Sequence, residues 1–349
     1  MTGRQRILDR VRGRATDCLP CMPITMMFAS DLFGSRYLDY ATDYRVQSAA
    51  QLKIAEEFEL DHVSVISDPC CEASDCGGEI IYYENEPPAP EGENALLRDK
   101  ETLGSLHAPD PGSGPRMSNR LRALRELAGA VGDCLLVEGW VEGPCAEAAD
   151  LRGISRLMID FYDDPDFVRE LVEFVVEMGI AFARAQVDAG ATVIGVGDAA
   201  SSLIGPTFYD EFIAPAEQRL VDAVHQAGAI CRLHICGNTR AILPSLAKLG
   251  CEIVDVDGMV AMEVARQTVG SEQVLLGNLD PVRAILNGTP ETIRAGFAQC
   301  YQEAGSHYIV GAGCEIPRGT PLENFRAIVD YAHTTPGGRA GAPDNPSSS

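Results

Sequence analysis

No run of about 18 consecutive apolar residues, the length a helix needs to cross a bilayer, occurs in this 349-residue chain. The N-terminal stretch MTGRQRILDRVRGRATD is charged and lacks the apolar core of a secretory signal. Both absences predict a cytoplasmic protein with no membrane partner. Basic residues are also scarce: 28 Lys and Arg stand against 51 Asp and Glu, a formal charge of −23. Such a surface repels nucleic acid and anionic lipid, so neither is an expected partner. No internal repeat is evident, and GVGDAAS (195–201) lacks the glycine spacing of a dinucleotide fingerprint.

What is present is a large core and many thiols. Hydrophobic residues make up 46% of the chain, enough for one large or two ordinary domains. The twelve cysteines are spread through a long chain without an export signal, so most are expected as reduced thiols, packed or used as ligands.

Short β-branched runs alternate with amphipathic stretches. Eight strands are predicted, over 23–28, 62–67, 134–140, 191–197, 229–235, 252–257, 273–278 and 307–313. Helical patterns fall at 44–57, 118–131, 164–190, 209–227, 240–249, 281–287, 290–304 and 321–333. Eight βα units argue for an α/β protein with a closed (β/α)₈ TIM barrel; an open doubly wound sheet is the alternative. Residues 1–333 then form a single domain. The irregular Pro- and Gly-rich segment 68–117 is an insertion after the second strand, lying over one barrel end as a lid. The polar tail 334–349 is expected to be disordered.

The chemistry concentrates in RLHICGNT (232–239). Side chains alternate along a strand, so His234 and Cys236 point the same way at the C-terminal end of the fifth predicted strand, where barrels of this kind build their sites. GAGCEIP adds Cys314 just past the eighth, and a closed barrel brings both strand ends to one mouth. One imidazole and two thiolates suit Zn²⁺ and leave a coordination position open. Taken singly, a strand cysteine is more often core than ligand; the coincidence of three at strand ends favours the metal.

Polar residues share the same rim. Glu138, Asp198 and Asp257 are assigned to catalysis, and Asp68, Asn278 and Asp280 to holding cofactor or substrate; Glu142 and Asp255 lie nearby. The competing reading is that some merely cap helices, as Asp280 before Pro281 suggests. Cys70, Cys71 and Cys76 match no zinc spacing and are assigned to a lid or pocket wall. His62, His107, His225, His307 and His333 are isolated, and Tyr82, Tyr83 and Trp140 either line the mouth or simply pack.

RLHICGNT, GNLDP and GCEIPRGTPLENF, together with GWVEGPCAEAADLRG, resemble the corrinoid-linked, zinc-dependent methyltransferase branch of the uroporphyrinogen decarboxylase superfamily. The similarity spans residues 4–333. It implies a (β/α)₈ barrel with zinc on His234, Cys236 and Cys314. It also implies a small partner protein carrying a corrinoid, whose cobalt gives or takes a methyl group. The other reactant is a small methyl donor or acceptor: a methyl ether, methanol or methylamine, or alternatively a thiol such as coenzyme M.

GCEIP, with Glu315 beside Cys314, is more similar to the demethylating members of that branch, a resemblance that implies demethylation of a methoxylated or similar small substrate. The decarboxylase proper fits worse, because it resembles an arginine cage for an octacarboxylate, whereas MFASDLFGSRYLDY offers Arg36 alone. A structural zinc, closed by Glu138 or Asp257, is the non-enzymatic alternative, and a homodimer is among the assemblies open to the chain.

Overall fold

The β-branched runs pair into one parallel sheet in the computed structural model, which describes residues 1–338. Its strands are β1 (His62–Ser64), β2 (Leu136–Glu142), β3 (Val193–Gly197), β4 (Ile230–His234), β5 (Ile253–Val256), β6 (Val274–Leu279) and β7 (Tyr308–Ala312), neighbours in that order. Every pairing is parallel, with helices in the crossovers.

The strand predicted over 23–28 does not form. Pro20 and Pro23 supply no N–H to a ladder, so this segment makes a single parallel bridge, Cys21 to Val310, and turns into the helix Met26–Phe33. It is nevertheless the eighth stave. Met22 N donates to Val310 O on one side, and on the other Cys21 N donates to Oδ2 of Asp61, which precedes β1. A side chain thus closes the ring where backbone pairing is missing.

The longest helical pattern, 164–190, forms the helix Pro165–Asp188, capped by Asp164 and burying Phe167, Leu171, Val175, Met178 and Phe182, and an unpredicted helix, Ile154–Asp163, precedes it. The pattern over 240–249 shrinks to the single turn Leu243–Leu246. The tail is not irregular from 334 onward: Thr16 N donates to Gly337 O, and Arg10 holds Gly338 O at 3.0 Å. The expectation for 339–349 lies outside the described residues.

Inward side chains stack in layers, as alternation along barrel strands requires. The lowest layer is apolar: Leu136, Val193, Ile253, Val274, Leu276 and Ile309, plugged from below by Ile7 and Leu8 of the helix Gly3–Val11. One step up each strand the layer becomes polar, with His62, Glu138, Arg232 and Asp255 all buried. The next step brings Trp140, packed with Ile24 and Ile66, and His234. Glycine makes room there. A Cβ on Gly195 would lie 2.2 Å from the Trp140 ring, so only glycine lets the indole lie against β3.

Candidate metal centre

The three predicted ligands converge. His234 ends β4, Cys236 follows two residues later, and Cys314 lies two residues past β7, all at the C-terminal mouth. His234 Nε2 is 2.9 Å from Cys236 Sγ and 3.7 Å from Cys314 Sγ, and the two sulfurs are 3.3 Å apart. A tetrahedral zinc with bonds of about 2.0–2.3 Å would space such atoms roughly 3.5–3.8 Å apart, so small side-chain shifts would seat an ion. Among the described residues this is the one grouping of three or more His, Cys, Asp or Glu whose ligand atoms lie within 4.8 Å.

The second nitrogen of the ring is already engaged. His234 Nδ1 is 2.7 Å from Asp255 Oδ2, which turns Nε2 toward the sulfurs. Asp255 is held in turn by Arg232, whose Nε and Nη2 donate to it at 2.8–3.1 Å, while Arg232 Nη1 donates to Glu138 at 2.9 Å. Burial opposes charge on His234, but Asp255 and then Cys314 outweigh it and push the imidazole up to about 10. The Cys236 hydrogen bond and, against burial, the His234 ring hold Cys314 well below the usual thiol range, while Cys236 moves up. The protein thus already favours a thiolate at Cys314.

A cavity of about 150 Å³ adjoins the triad, walled by Trp140, Ile66, Met26, Asp68, Glu142 and Glu315 among others. The indole of Trp140 is 6.0 Å from the His234 ring, centroid to centroid. Glu315 Oε1 accepts from Met27 N at 2.8 Å; burial, relieved by that bond and reinforced by Cys314, pushes its carboxyl up to about 7.

The remaining predicted site residues are dispersed. Asp68 reaches the cavity wall but is engaged by Arg116 Nη2 at 2.6 Å and Ser67 Oγ at 2.7 Å. Glu138 lies one layer below, beneath Arg232. Asp198 is fully buried and accepts from Ala146 N and Cys145 N, so it caps the helix Pro144–Arg152 from a neighbouring strand end. Asp257 caps the turns at Gly237 N and Met259 N. Asn278 donates to Val260 O, and Asp280 accepts from Val282 N and Arg283 N as a helix cap. None of these last five lines the cavity, because backbone groups or Arg232 hold them elsewhere.

Cys70 and Cys76 do not line the cavity either; their sulfurs contact Pro88 O and the Met178 sulfur. Residues with more evident roles are Asp255 and Arg232. Arg232, His234 and Cys236 are successive same-face positions of one strand, and extending the alternation by one step inward finds the arginine.

The uroporphyrinogen decarboxylase (URO-D) family model matches residues 2–335. A methylcobamide:CoM methyltransferase, MtbA, from Methanosarcina mazei is 33% identical over 340 residues, covering 95% of this chain and 97% of that protein. A uroporphyrinogen decarboxylase from Nostoc punctiforme is 27% identical over 345 residues, covering 93% and 95%. A solved methyltransferase structure from Methanosarcina mazei superposes with a TM-score of 0.87 at 24% identity, covering 95% of this chain and 98% of that one, and shares its fold. With a family model spanning nearly every described residue, this chain belongs to the uroporphyrinogen decarboxylase family.

Proposed function

We propose that this protein is a zinc-dependent methyltransferase that moves a methyl group between the cobalt of a corrinoid, carried by a partner protein, and the sulfur of a small thiol. The observation that carries the reading is the His234–Cys236–Cys314 convergence at the barrel mouth, with Asp255 fixing the ring and a cavity open beside it. Zinc on these three side chains would supply a Lewis acid that keeps a thiol as thiolate near neutral pH. Two thiolates and a neutral imidazole leave such a centre with no net charge, which keeps an incoming sulfur electron-rich and suits a thiol better than an ether oxygen.

The relatives support that choice over the demethylation favoured by sequence alone, because MtbA acts, by its name, between a methylcobamide and coenzyme M. Glu315, the residue behind the demethylation reading, is engaged by Met27 N. In the transfer, the thiol sulfur bonds to the methyl carbon and the carbon–cobalt bond breaks with its electron pair left on cobalt, which goes from cobalt(III) to cobalt(I). The thiol proton leaves to solvent. The chain's own contributions are to orient the imidazole through Asp255, to present a low-pKa thiolate at Cys314, and to wall the reacting space with Trp140.

Decarboxylation of an octacarboxylate finds no support in the mouth. Arg36 is exposed and paired with Asp39, and among the described residues no arginine or lysine lines the cavity. The test mixes zinc-loaded protein with methylcobalamin and a thiol and follows loss of the methyl–cobalt absorbance. Catalysed loss that disappears on chelation and returns with zinc is expected. Failure with every thiol would remove the proposal.

A further inference from the structure

Beside the metal cavity lies a larger hollow of about 560 Å³, and the two share Pro69, Glu142, Ala199 and Cys236 as walls. The hollow is largely apolar, bordered by Pro90 and Gly92 of the 68–117 segment and by Ile154 and Leu203. Its polar features have one sign. Four carboxylates line the two spaces, Asp68, Glu142, Asp150 and Glu315, and among the described residues no lysine or arginine does.

Two arginines lie behind the wall, and both are engaged. Arg116 donates to Asp68 and to the Tyr82 hydroxyl; Arg120 donates to Trp140 O, Ser67 Oγ and Asp68 O. On the carboxylate side there is unused capacity. Asp150 Oδ2 is a buried oxygen without a hydrogen-bond partner, and Glu147 behind it has two. An anionic tail entering this space would face buried carboxyls and no cation. A tail with an ammonium would meet carboxyl groups alone, one of them with hydrogen-bonding capacity to spare.

We propose that the thiol taken by this site carries a positively charged tail, an aminothiol, and that Asp150 and Glu142 read that tail and exclude thiols with sulfonate or carboxylate tails. This deepens the thiol reading above and rests on it. The chain would then differ in its acceptor from relatives that act on coenzyme M, whose tail is a sulfonate. Burial raises the carboxyls of Glu142 and Asp150 above the ordinary range, and an ammonium beside them would favour their ionised forms.

Three thiols of the same length test it: cysteamine, 2-mercaptoethanol and coenzyme M differ only in a cationic, neutral or anionic end. With zinc-loaded protein and methylcobalamin, kcat/KM for cysteamine should exceed that for coenzyme M at least tenfold; a smaller ratio overturns the proposal. Intrinsic thiol reactivity cancels when that ratio is compared between the wild-type protein and Asp150→Asn or Glu142→Gln. A fall of at least fivefold in either variant, with its melting temperature retained, is expected, and an unchanged ratio in both overturns the assignment to these residues.

Binding provides a readout without turnover. Trp140 is the single tryptophan and walls the metal cavity, so its fluorescence should titrate with cysteamine at lower concentration than with coenzyme M. Methylation without the charge order defeats this inference alone. The charge order in binding, with no thiol methylated, defeats the thiol-transfer reading alone.

Discussion

Asp255 Oδ2 lies 2.7 Å from His234 Nδ1, and the same oxygen accepts from Arg232 Nη2 at 2.8 Å, so one buried carboxylate ties the metal-facing ring to the barrel's polar layer. A carboxylate in this place fixes the tautomer, raises the basicity of Nε2 and stops the ring from rotating. Asp255→Asn keeps the shape and loses the charge. Zinc affinity, measured by competition with a chromophoric chelator, should fall about 10- to 100-fold while the chain stays folded. An unchanged affinity would mean that the pair does not support the metal.

Metal removal should separate a working centre from a structural one. Below the ligands lie a buried polar layer and an apolar layer that use none of them, so the barrel has a core independent of the ion. Chelated protein should keep its far-ultraviolet dichroism and still unfold cooperatively. Cys314→Ala should lose bound zinc with the fold intact. Collapse of secondary structure on chelation would favour the structural alternative.

Gly195 offers a packing test of the cavity wall. A methyl group there would lie 2.2 Å from Cε3 and 2.5 Å from Cζ3 of Trp140, a rigid buried ring that cannot yield without moving into the 150 Å³ space beside His234. Gly195→Ala should therefore cost about 1–3 kcal/mol in urea unfolding. It should also shift the emission of the single tryptophan and weaken zinc and thiol binding together. A variant with wild-type stability and emission would contradict the contact.

The convergence of His234, Cys236 and Cys314 is legible because strand alternation and barrel closure are both periodic: His234 and Cys236 share a face, and strand ends meet at one mouth whatever their separation in sequence. The carboxylates are not, because an Asp at a strand end has the same signature whether it faces a ligand or a backbone N–H. Asp198, Asp257 and Asp280 all took the backbone option. The strand predicted over 23–28 does not form, for a local reason: apolar PITMMF has strand composition, but Pro20 and Pro23 prevent a ladder and the Met-Met-Phe-Ala run continues as helix. Arg232 carries no such signal, since a charged residue in a strand suggests an exposed face, whereas here Glu138 and Asp255 flank it inside the barrel.

The buried acids set a pH dependence that one variant can isolate. Glu147, in the helix Pro144–Arg152, is 2% exposed, and neither carboxylate oxygen has a partner. Burial, then Glu72, Asp150 and Glu142, hold its carboxyl well above the ordinary value of 4.5, with Arg120 pulling weakly the other way. Below 4.5 the folded and unfolded chains both hold the proton. As pH rises from there toward the elevated folded value, the unfolded chain releases the proton and the folded chain keeps it. Stability from this group is therefore full at acid pH and is lost on raising pH, by at most about 1.4 kcal/mol per unit. Glu147→Gln mimics the protonated form at every pH. Its unfolding free energy should match the wild type near pH 5, exceed it at pH 8, and fall less steeply between the two. Asp17 and Asp255, whose lowered values act in the opposite direction, are common to both proteins and cancel in the comparison. Equal slopes for variant and wild type would mean that Glu147 ionises in the folded protein as it does in water.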